Sequence, residues 1–388
     1  MSTSDKHRIS FRFYLLSALA GLAGSLIYPL MSLFLVDGLG AEPIMIGVYT
    51  VSVTLSGLLM SQWLGNKADR GSNPRKLFSI AMCSFMVAVI IYANTQNFVW
   101  VWLAGLSFMA LGNSATPQML TLARQWANDN RVDSTIFNAR IRAAISFSWM
   151  TGPPLAFALA SAFGYQVSFY AAAACALFAF VYLRFGVPAT NGSEPLPQHD
   201  DVVHPDFRFW LLAIAMAGGM AANLMYSSSL PLYVARELEF ATHWPGVFMG
   251  LVACLEIPVM LYSAKLARRI SKEWVLVISF AFAITFYFGI FNATQVWQFL
   301  ALQILNALFY GLFAGVGLTL MQEQIPTRVG FTSAVYSNAL KIGMMIGASM
   351  TGLIAQFSSF QYASIGAMLA VLIALISLCG FRIINNRR

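Results

Sequence analysis

Long apolar runs separated by short polar breaks make up most of the chain. A helix that crosses a bilayer needs about 20 mostly apolar residues, and twelve runs approach or exceed that length. The runs are apolar on all sides, as expected for helices surrounded by lipid and by one another. The pattern therefore predicts an all-α polytopic membrane protein with twelve transmembrane helices. The predicted spans cover residues 11–36, 44–65, 76–93, 98–122, 136–160, 165–186, 207–235, 244–265, 274–291, 297–322, 331–355 and 360–383.

The longest polar break, residues 187–206, divides the spans into two groups of six. It contains four prolines and several charged residues, a composition typical of an exposed linker. We therefore predict an N-terminal six-helix bundle at residues 1–186, a cytoplasmic linker at 187–206 and a C-terminal six-helix bundle at 207–388.

Weak internal similarity relates the two groups of spans. Each match alone is weak, because apolar segments often match by chance. The nearly constant spacing between the matches indicates a duplication, which predicts two pseudo-symmetric bundles with a cavity between them at the membrane midplane. The matches, at offsets of 198, 199 and 200 residues, begin at Ser25 and Asn223, at Gly47 and Gly246, and at Asn138 and Asn338.

Charge distribution predicts the orientation of the chain. Hydrophobic residues make up 59% of it and charged residues only 10%, against about 25% in soluble domains. A net charge of +8 would suggest nucleic-acid binding in a soluble protein, but the basic residues here lie in short loops between spans. With the N-terminus in the cytoplasm, 21 of the 23 Lys and Arg residues fall on the cytoplasmic side, all except Arg236 and Lys341. We therefore predict that both termini are cytoplasmic and that nucleic acid is not a partner.

Signatures of enzymes and metal sites are not found in the sequence. The four histidines lie in loops or tails, and no two stand at metal-ligand spacing within a helix. A phosphate-binding glycine loop and a Gly-x-Ser-x-Gly element are both missing. We therefore predict no cofactor, no metal, no ATP-driven step and no enzymatic activity.

The loop after the second span reads GNKADRGSNPRK and begins at Gly65. It resembles the loop signature of the major facilitator superfamily, although its second glycine comes early and its basic pair late. The resemblance implies the twelve-helix fold of that superfamily and a latch on the cytoplasmic side formed by Gly65, Asp69 and Arg70. In the matching loop of the second half, Ala264 and Arg268 stand in place of Gly65 and Asp69, so such a latch would be asymmetric. The alternative is that these charges only set the topology.

The fifth span contains Gly152, Pro153 and Pro154. The segment is similar to the Gly-Pro motif in the fifth helix of superfamily antiporters, in which the pair kinks the helix and lets a neighbour approach. The upstream glycine of the full motif is missing, as is the fourth-helix arginine of many proton-coupled members. The resemblance therefore suggests antiport.

Within the superfamily, the chain resembles the bacterial sugar efflux transporters over most of its length. The segments that carry the resemblance are ATPQ at 115–118, LARQWAND at 122–129, WMTGPPLAF at 149–157 and EIP at 256–258. The resemblance implies export of sugars or glycosides from the bacterial cytoplasm across the inner membrane, coupled to proton entry, by a monomer. An exporter of drugs or other small amphipathic metabolites is the alternative, since 19 Met and 31 Phe could line an apolar cavity.

Ionisable residues within spans are costly and are therefore candidates for function. Glu256 and Lys341 lie near the middle of the eighth and eleventh spans, and Arg142 lies about two turns inside the fifth. We expect Glu256 to carry the coupling proton with help from Lys341 and Arg142, because burial favours a neutral carboxyl while a nearby cation favours the charged form. A fixed structural ion pair between Glu256 and Lys341 is the alternative.

Sugar recognition needs polar groups for hydroxyls and aromatic faces for the C–H surface of the ring. The central spans supply both. The alternative for any single polar residue is a hydrogen bond between helices. The candidates for sugar contact are Asn113, Gln118, Asn138, Arg142, Trp149, Asn223, Tyr226, Ser227, Asn306, Tyr310, Asn338 and Lys341, with Tyr28, Ser228, Gln303 and Tyr336 as further members.

Overall fold

The computed structural model describes residues 3–69, 72–130, 132, 134–187, 206–326 and 329–385, and the secondary structure within these ranges is helical. Twelve of the helices are long and apolar enough to cross a membrane, as the sequence predicts. Their order is α1 (Lys6–Gly38), α2 (Ile44–Asp69), α3 (Pro74–Asn94), α4 (Phe98–Ala127), α5 (Ser134–Phe163), α6 (Tyr165–Gly186), α7 (Phe207–Glu237), α8 (Trp244–Leu266), α9 (Lys272–Asn292), α10 (Val296–Gln324), α11 (Val329–Phe357) and α12 (Phe360–Asn385).

Two of these helices are interrupted within the membrane. The regular part of α1 ends at Ser25 and is followed by a 3₁₀ turn at Tyr28–Leu30, where Pro29 cannot donate a backbone hydrogen bond. Helix α4 contains a π turn at Gly105–Met109 and breaks after Gly112, resuming at Ala115. A break of this kind leaves backbone N–H and C=O groups without helical hydrogen bonds, and it is tolerated in a membrane only where other groups bond to them. The breaks therefore mark candidate positions for a functional site.

The internal repeat extends to local backbone geometry. Helix α1 ends in a π turn at Phe34–Gly38, and α7 ends in a π turn at Tyr233–Glu237. The two turns are 199 residues apart at both ends, which is the offset that the sequence matches predict. Each half therefore begins with a helix that finishes in the same distorted turn.

The helices form two compact units, Met1–Ala41 with Ser52–His199 and Glu42–Val51 with Asp200–Arg388. The first turns of α2 thus belong to the second unit, because they pack closely on α11. A Cβ added to Gly47 would lie 2.8 Å from Ser349 Cα, and one added to Gly352 would lie 2.7 Å from the carbonyl oxygen of Pro43. The predicted boundary at 187–206 stays a prediction, because residues 188–205 lie outside the described part of the chain.

Small residues bring α1 and α5 together in the first unit. The hydroxyl of Ser148 donates to the carbonyl of Ala18 at 2.8 Å, and the hydroxyl of Ser25 donates to the carbonyl of Ser148 at 3.0 Å. A Cβ at Gly152 would overlap the Ser25 hydroxyl. The glycine of the Gly-Pro motif therefore permits the close approach of a neighbouring helix, as its resemblance to the antiporter motif implies.

The second unit uses glycines in the same way where α7 meets α11. A Cβ at Gly343 or Gly347 would overlap the carbonyl oxygens of Ala217 and Ala221 on α7. The hydroxyl of Thr351, one turn further along α11, donates to the carbonyl of Gly347 at 2.9 Å. When two helix backbones approach this closely, the van der Waals contacts between them stabilise the helix pair in lipid.

Two arginines cap the C-terminal end of α6. The Arg75 guanidinium donates to the carbonyls of Leu183 at 2.6 Å and Arg184 at 2.7 Å, and the Arg12 guanidinium donates to the carbonyl of Gly186 at 2.8 Å. The last carbonyls of a helix have no partner within it and carry partial negative charge, so cations stabilise them. Arg75, from the loop motif, therefore fastens α3 to α6.

We expect Arg75→Ala to destabilise the protein by about 1.5 kcal/mol, the lower range for a charged hydrogen bond, because these carbonyls are partly exposed. The matched control is Lys76→Ala, which removes the neighbouring exposed cation. Thermal unfolding in detergent should show a lower midpoint for the Arg75 variant alone. Equal midpoints for the two variants would show that the cap contributes nothing measurable.

Candidate functional site

Tyr28, Asn113 and Trp149, three candidates from separate helices, come together in the first unit. The rings of Tyr28 and Trp149 are nearly parallel, with centroids 6.3 Å apart and an interplanar angle of 8°. The Tyr28 hydroxyl donates to the Asn113 side-chain oxygen. Both rings are open to the surroundings, at 38% exposed for Tyr28 and 41% for Trp149. We call Tyr28, Asn113 and Trp149 the aromatic platform.

The broken helices explain how the aromatic platform forms. Tyr28 begins the 3₁₀ turn of α1, and Asn113 follows the end of the helical segment of α4 at Gly112. Gly57 of α2 lies beside the amide, where a Cβ would be in ordinary van der Waals contact with Asn113 Nδ2 at 3.5 Å. The two breaks therefore place a phenol and an amide side by side next to the indole.

Gln118 lies on the next turn of α4 but is buried, at 3% exposed. Its side-chain oxygen and the hydroxyl of Ser114 have no hydrogen-bond partner among the described residues. A sugar contact by Gln118 stays a prediction and would require the interior of the first unit to open. The side chains of the candidates Asn138 and Arg142 lie outside the described part of the structure.

A hydrogen-bonded network occupies the interior of the second unit. The amide nitrogen of Gln303 donates to the Tyr226 hydroxyl at 3.0 Å, and the amide nitrogen of Asn306 donates to the Gln303 side-chain oxygen at 3.2 Å. Exposure is 4% for Tyr226, 0% for Gln303 and 2% for Asn306. The geometry favours the alternative that these residues join α7 to α10, while direct sugar contact by Tyr226 and Asn306 stays a prediction.

Tyr287 of α9 belongs to the same buried region and was not among the sequence candidates. Its ring centroid lies 6.4 Å from that of Tyr226, and its hydroxyl has no hydrogen-bond partner among the described residues. The side-chain oxygen of Asn306 is also buried and unpartnered there. Tyr287 stands in an aromatic run, FYFGIF at 286–291, which resembles ordinary core, so the only signal was the hydroxyl itself.

The remaining candidates on α7, α10 and α11 are more accessible. Asn223 and Ser227 are half-buried one turn apart on α7, and the Ser227 hydroxyl donates to the carbonyl of Leu224 at 3.3 Å. Tyr310 is half-buried, with its hydroxyl 3.9 Å from the sulfur of Met220, and Asn338 is exposed. None of these residues is part of the buried network.

The suggested pairing of Glu256 with Lys341 is not observed. Both side chains are half-buried, and neither forms an ion pair or a hydrogen bond with any described residue. Helix α8 packs on α10, where a Cβ at Gly311 would lie 3.2 Å from the Glu256 carbonyl, whereas α11 packs on α7. The two residues have similar depth along their helices, but the main partners of those helices differ and no ion pair joins the two side chains in this structure. The roles of Glu256 and Lys341 stay predictions.

The proposed latch can be described only in part. A Cβ at Gly65 would meet no atom of the described residues within 4 Å, so this glycine makes no close helix contact in the described part of the chain. The side chain of Asp69 and all of Arg70 lie outside the described residues. The latch therefore stays a prediction. Among the described residues, no group of three His, Cys, Asp or Glu side chains could hold a metal ion.

Comparison with solved structures identifies the fold. The crystal structure of the nucleoside transporter NupG has a TM-score of 0.79 at 13% identity and covers 96% of this chain and 98% of that one. A bacterial homologue of the iron transporter ferroportin, in an inward-facing state, has a TM-score of 0.75 at 17% identity and covers 98% of this chain and 99% of that one. At these identities the likeness concerns the fold alone.

Sequence relatives cover nearly the whole chain. Sugar efflux transporter C of Escherichia coli is 32% identical over 90% of this chain and 90% of its own length. Sugar efflux transporter A of Dickeya chrysanthemi is 31% identical over 96% of this chain and 95% of its own length. The Major Facilitator Superfamily profile matches residues 13–294 and 257–387. The chain is therefore a multi-pass membrane transporter and not an enzyme, and it belongs to the major facilitator superfamily.

Proposed function

We propose that this protein exports sugars or glycosides from the bacterial cytoplasm in exchange for protons. The aromatic platform is the observation that carries the proposal, because it combines exposed ring faces with a polar amide. The relatives named sugar efflux transporters support the same substrate class. The charge distribution supports an inner-membrane protein with both termini in the cytoplasm.

The aromatic platform fits the chemistry of a sugar ring. A pyranose presents C–H groups on its faces and hydroxyls around its edge, so it needs an apolar aromatic surface flanked by hydrogen-bonding groups. Trp149 supplies the surface, while Asn113 and the Tyr28 hydroxyl supply donors and acceptors. In this proposal Asn223, Ser227, Tyr310 and Asn338 provide further contacts, and the buried Tyr226–Gln303–Asn306 network holds α7 and α10 in position.

Glu256 is the proposed proton carrier. It is a half-buried carboxyl within a membrane helix and has no ion-pair partner among the described residues. A carboxyl of this kind can lose its charge on protonation without breaking a salt bridge, which suits a group that must change state in each transport cycle. Lys341 and Arg142 are proposed to tune the cycle, and alternating access of the two halves carries the substrate across.

One observation favours a second candidate function, export of amphipathic drugs. Methionine sulfur lies beside two of the accessible tyrosine hydroxyls, Met109 at 3.8 Å from Tyr28 and Met220 at 3.9 Å from Tyr310. Flexible methionines next to aromatic rings are typical of surfaces that accept many ligands. A site built for sugars would instead bind a hydrophobic cation such as tetraphenylphosphonium more weakly than it binds a sugar.

We expect Trp149→Leu to weaken sugar binding by about tenfold or more, corresponding to about 1.4 kcal/mol for the lost ring contact. Calorimetric titration with glucose, maltose and methyl β-glucoside would measure it. The matched control is Trp100→Leu, which removes a 62% exposed tryptophan near the start of α4. Sugar affinity unchanged by Trp149→Leu, or tighter binding of tetraphenylphosphonium than of any sugar, would argue against the proposed site.

We expect Glu256→Gln to abolish sugar export driven by a pH gradient in proteoliposomes and to leave sugar binding unchanged. The amide has nearly the shape of the neutral acid but cannot release a proton. Glu239→Gln changes an exposed carboxyl in the loop after α7 and serves as the control. Full gradient-driven export by the Glu256 variant would remove this residue from the coupling mechanism.

A further inference from the structure

A surface groove of about 470 Å³ lies at the C-terminal end of α8, and nothing in the proposed transport cycle uses it. It is lined by Leu261, Tyr262, Ala264, Lys265 and Arg268. Leu261 is 70% exposed and Tyr262 is 52% exposed, so both side chains are accessible to lipid or to a ligand. The groove therefore combines an apolar part with two cations and contains no carboxylate.

The face of α8 that carries the groove points away from the interior of the second unit. Ser263 is fully buried, and its hydroxyl lies where a Cβ on Gly315 of α10 would be. Leu261 and Lys265 are four residues apart and share the opposite side of the helix, and Arg268 lies in the turn that follows the helix end at Leu266 and lines the same groove. With a rise of 1.5 Å per residue, the backbone of Lys265 lies about 6 Å further along the axis than that of Leu261, and Arg268 follows after the helix end.

The cations of the groove differ from three others at this end of the second unit. Lys272 pairs with Glu323 at 2.6 Å, Arg208 pairs with Asp206 at 2.9 Å, and the Arg382 guanidinium lies 3.9 Å from the centre of the Trp274 ring. The side chains of Lys265 and Arg268 have no such contact with any described residue. Their charge is therefore available to an external anion.

Two residues of the groove, Ala264 and Arg268, stand where the second half departs from the loop motif that begins at Gly65 in the first half. Ala264 and Arg268 correspond to Gly65 and Asp69 at an offset of 199 residues. Replacement of an acidic residue by arginine removes the local negative charge and adds a positive one beside Lys265. The change that makes a latch asymmetric thus also creates a basic site next to exposed apolar side chains.

We propose that the groove binds an anionic phospholipid. The phosphate of its headgroup lies between the Lys265 ammonium and the Arg268 guanidinium, and an acyl chain follows Leu261 and the ring of Tyr262. A phospholipid fits because its anionic headgroup would lie at the two cations of the groove while its hydrocarbon chain lies along the apolar side chains. Basic pockets at the membrane surface bind anionic headgroups through this arrangement, and tyrosine favours the same depth.

The test is native mass spectrometry of the delipidated full-length protein in detergent, with added phosphatidylglycerol or phosphatidylcholine. We expect the unmodified protein to retain phosphatidylglycerol in preference. The double variant K265Q/R268Q should bind it about 30-fold more weakly, the factor that corresponds to about 1 kcal/mol for each of two basic residues near an anionic surface. The charge-preserving variant K265R/R268K should retain binding.

The matched control is K272Q/R382Q, which also removes two positive charges, but ones already engaged by Glu323 and Trp274. This control variant should keep its phosphatidylglycerol. Excess inorganic phosphate should not displace the lipid from the protein, because phosphate alone lacks the hydrocarbon chain. Equal losses in the two double variants would show general charge attraction and overturn the proposal. Equal retention of both lipids by the unmodified protein, or displacement by phosphate, would also overturn it.

Discussion

Hydrocarbon offers no hydrogen-bond partners, and this constraint governs the whole molecule. Within the membrane, each backbone amide must be satisfied by the chain itself, which leaves helices as the way for this sequence to cross. Polar side chains are under the same pressure. Tyr226, Gln303 and Asn306 are hydrogen-bonded to one another across two helices, while the Asn306 side-chain oxygen has no partner among the described residues. The places where the helices break, at Tyr28 and after Gly112, therefore cost free energy, and both help to form the aromatic platform.

Duplication gave the two units similar helices but not identical contacts. Gly152 and Gly352 occupy matching positions, yet the first packs on Ser25 of α1 and the second on Pro43 and Ile44 of α2. Glycine at both positions preserves the ability to approach a neighbouring backbone closely, while the choice of neighbour differs. The mid-membrane charges Glu256 and Lys341 likewise have no charged counterparts in the first half. Structural symmetry and chemical asymmetry thus coexist in this chain.

The sequence predicts the spans to within a few residues at most ends, because hydrophobic length is a local property of the chain. It also supplies Tyr28, Asn113 and Trp149 as single candidates, but their assembly depends on helix packing, which periodicity does not specify. Hydropathy likewise predicts how deep a residue lies in the membrane, but it does not predict which neighbouring helix the residue faces. Hydropathy therefore allows a pairing of Glu256 with Lys341, although the two residues lie on helices whose main partners differ. The sequence does not single out Tyr287, because its run of aromatic neighbours is typical of ordinary core.

The arginine cap on α6 has a consequence for how the protein is made. Arg12 and the carbonyl it binds are separated by 174 residues, and Arg75 and its nearer acceptor by 108. At synthesis rates of about 5 to 20 residues per second, Arg12 waits roughly 10 to 35 s for its acceptor to leave the ribosome. Until then the early helices carry unpaired guanidinium groups at the membrane surface. The contacts of this cap can therefore form only after the last helix of the first unit has been made.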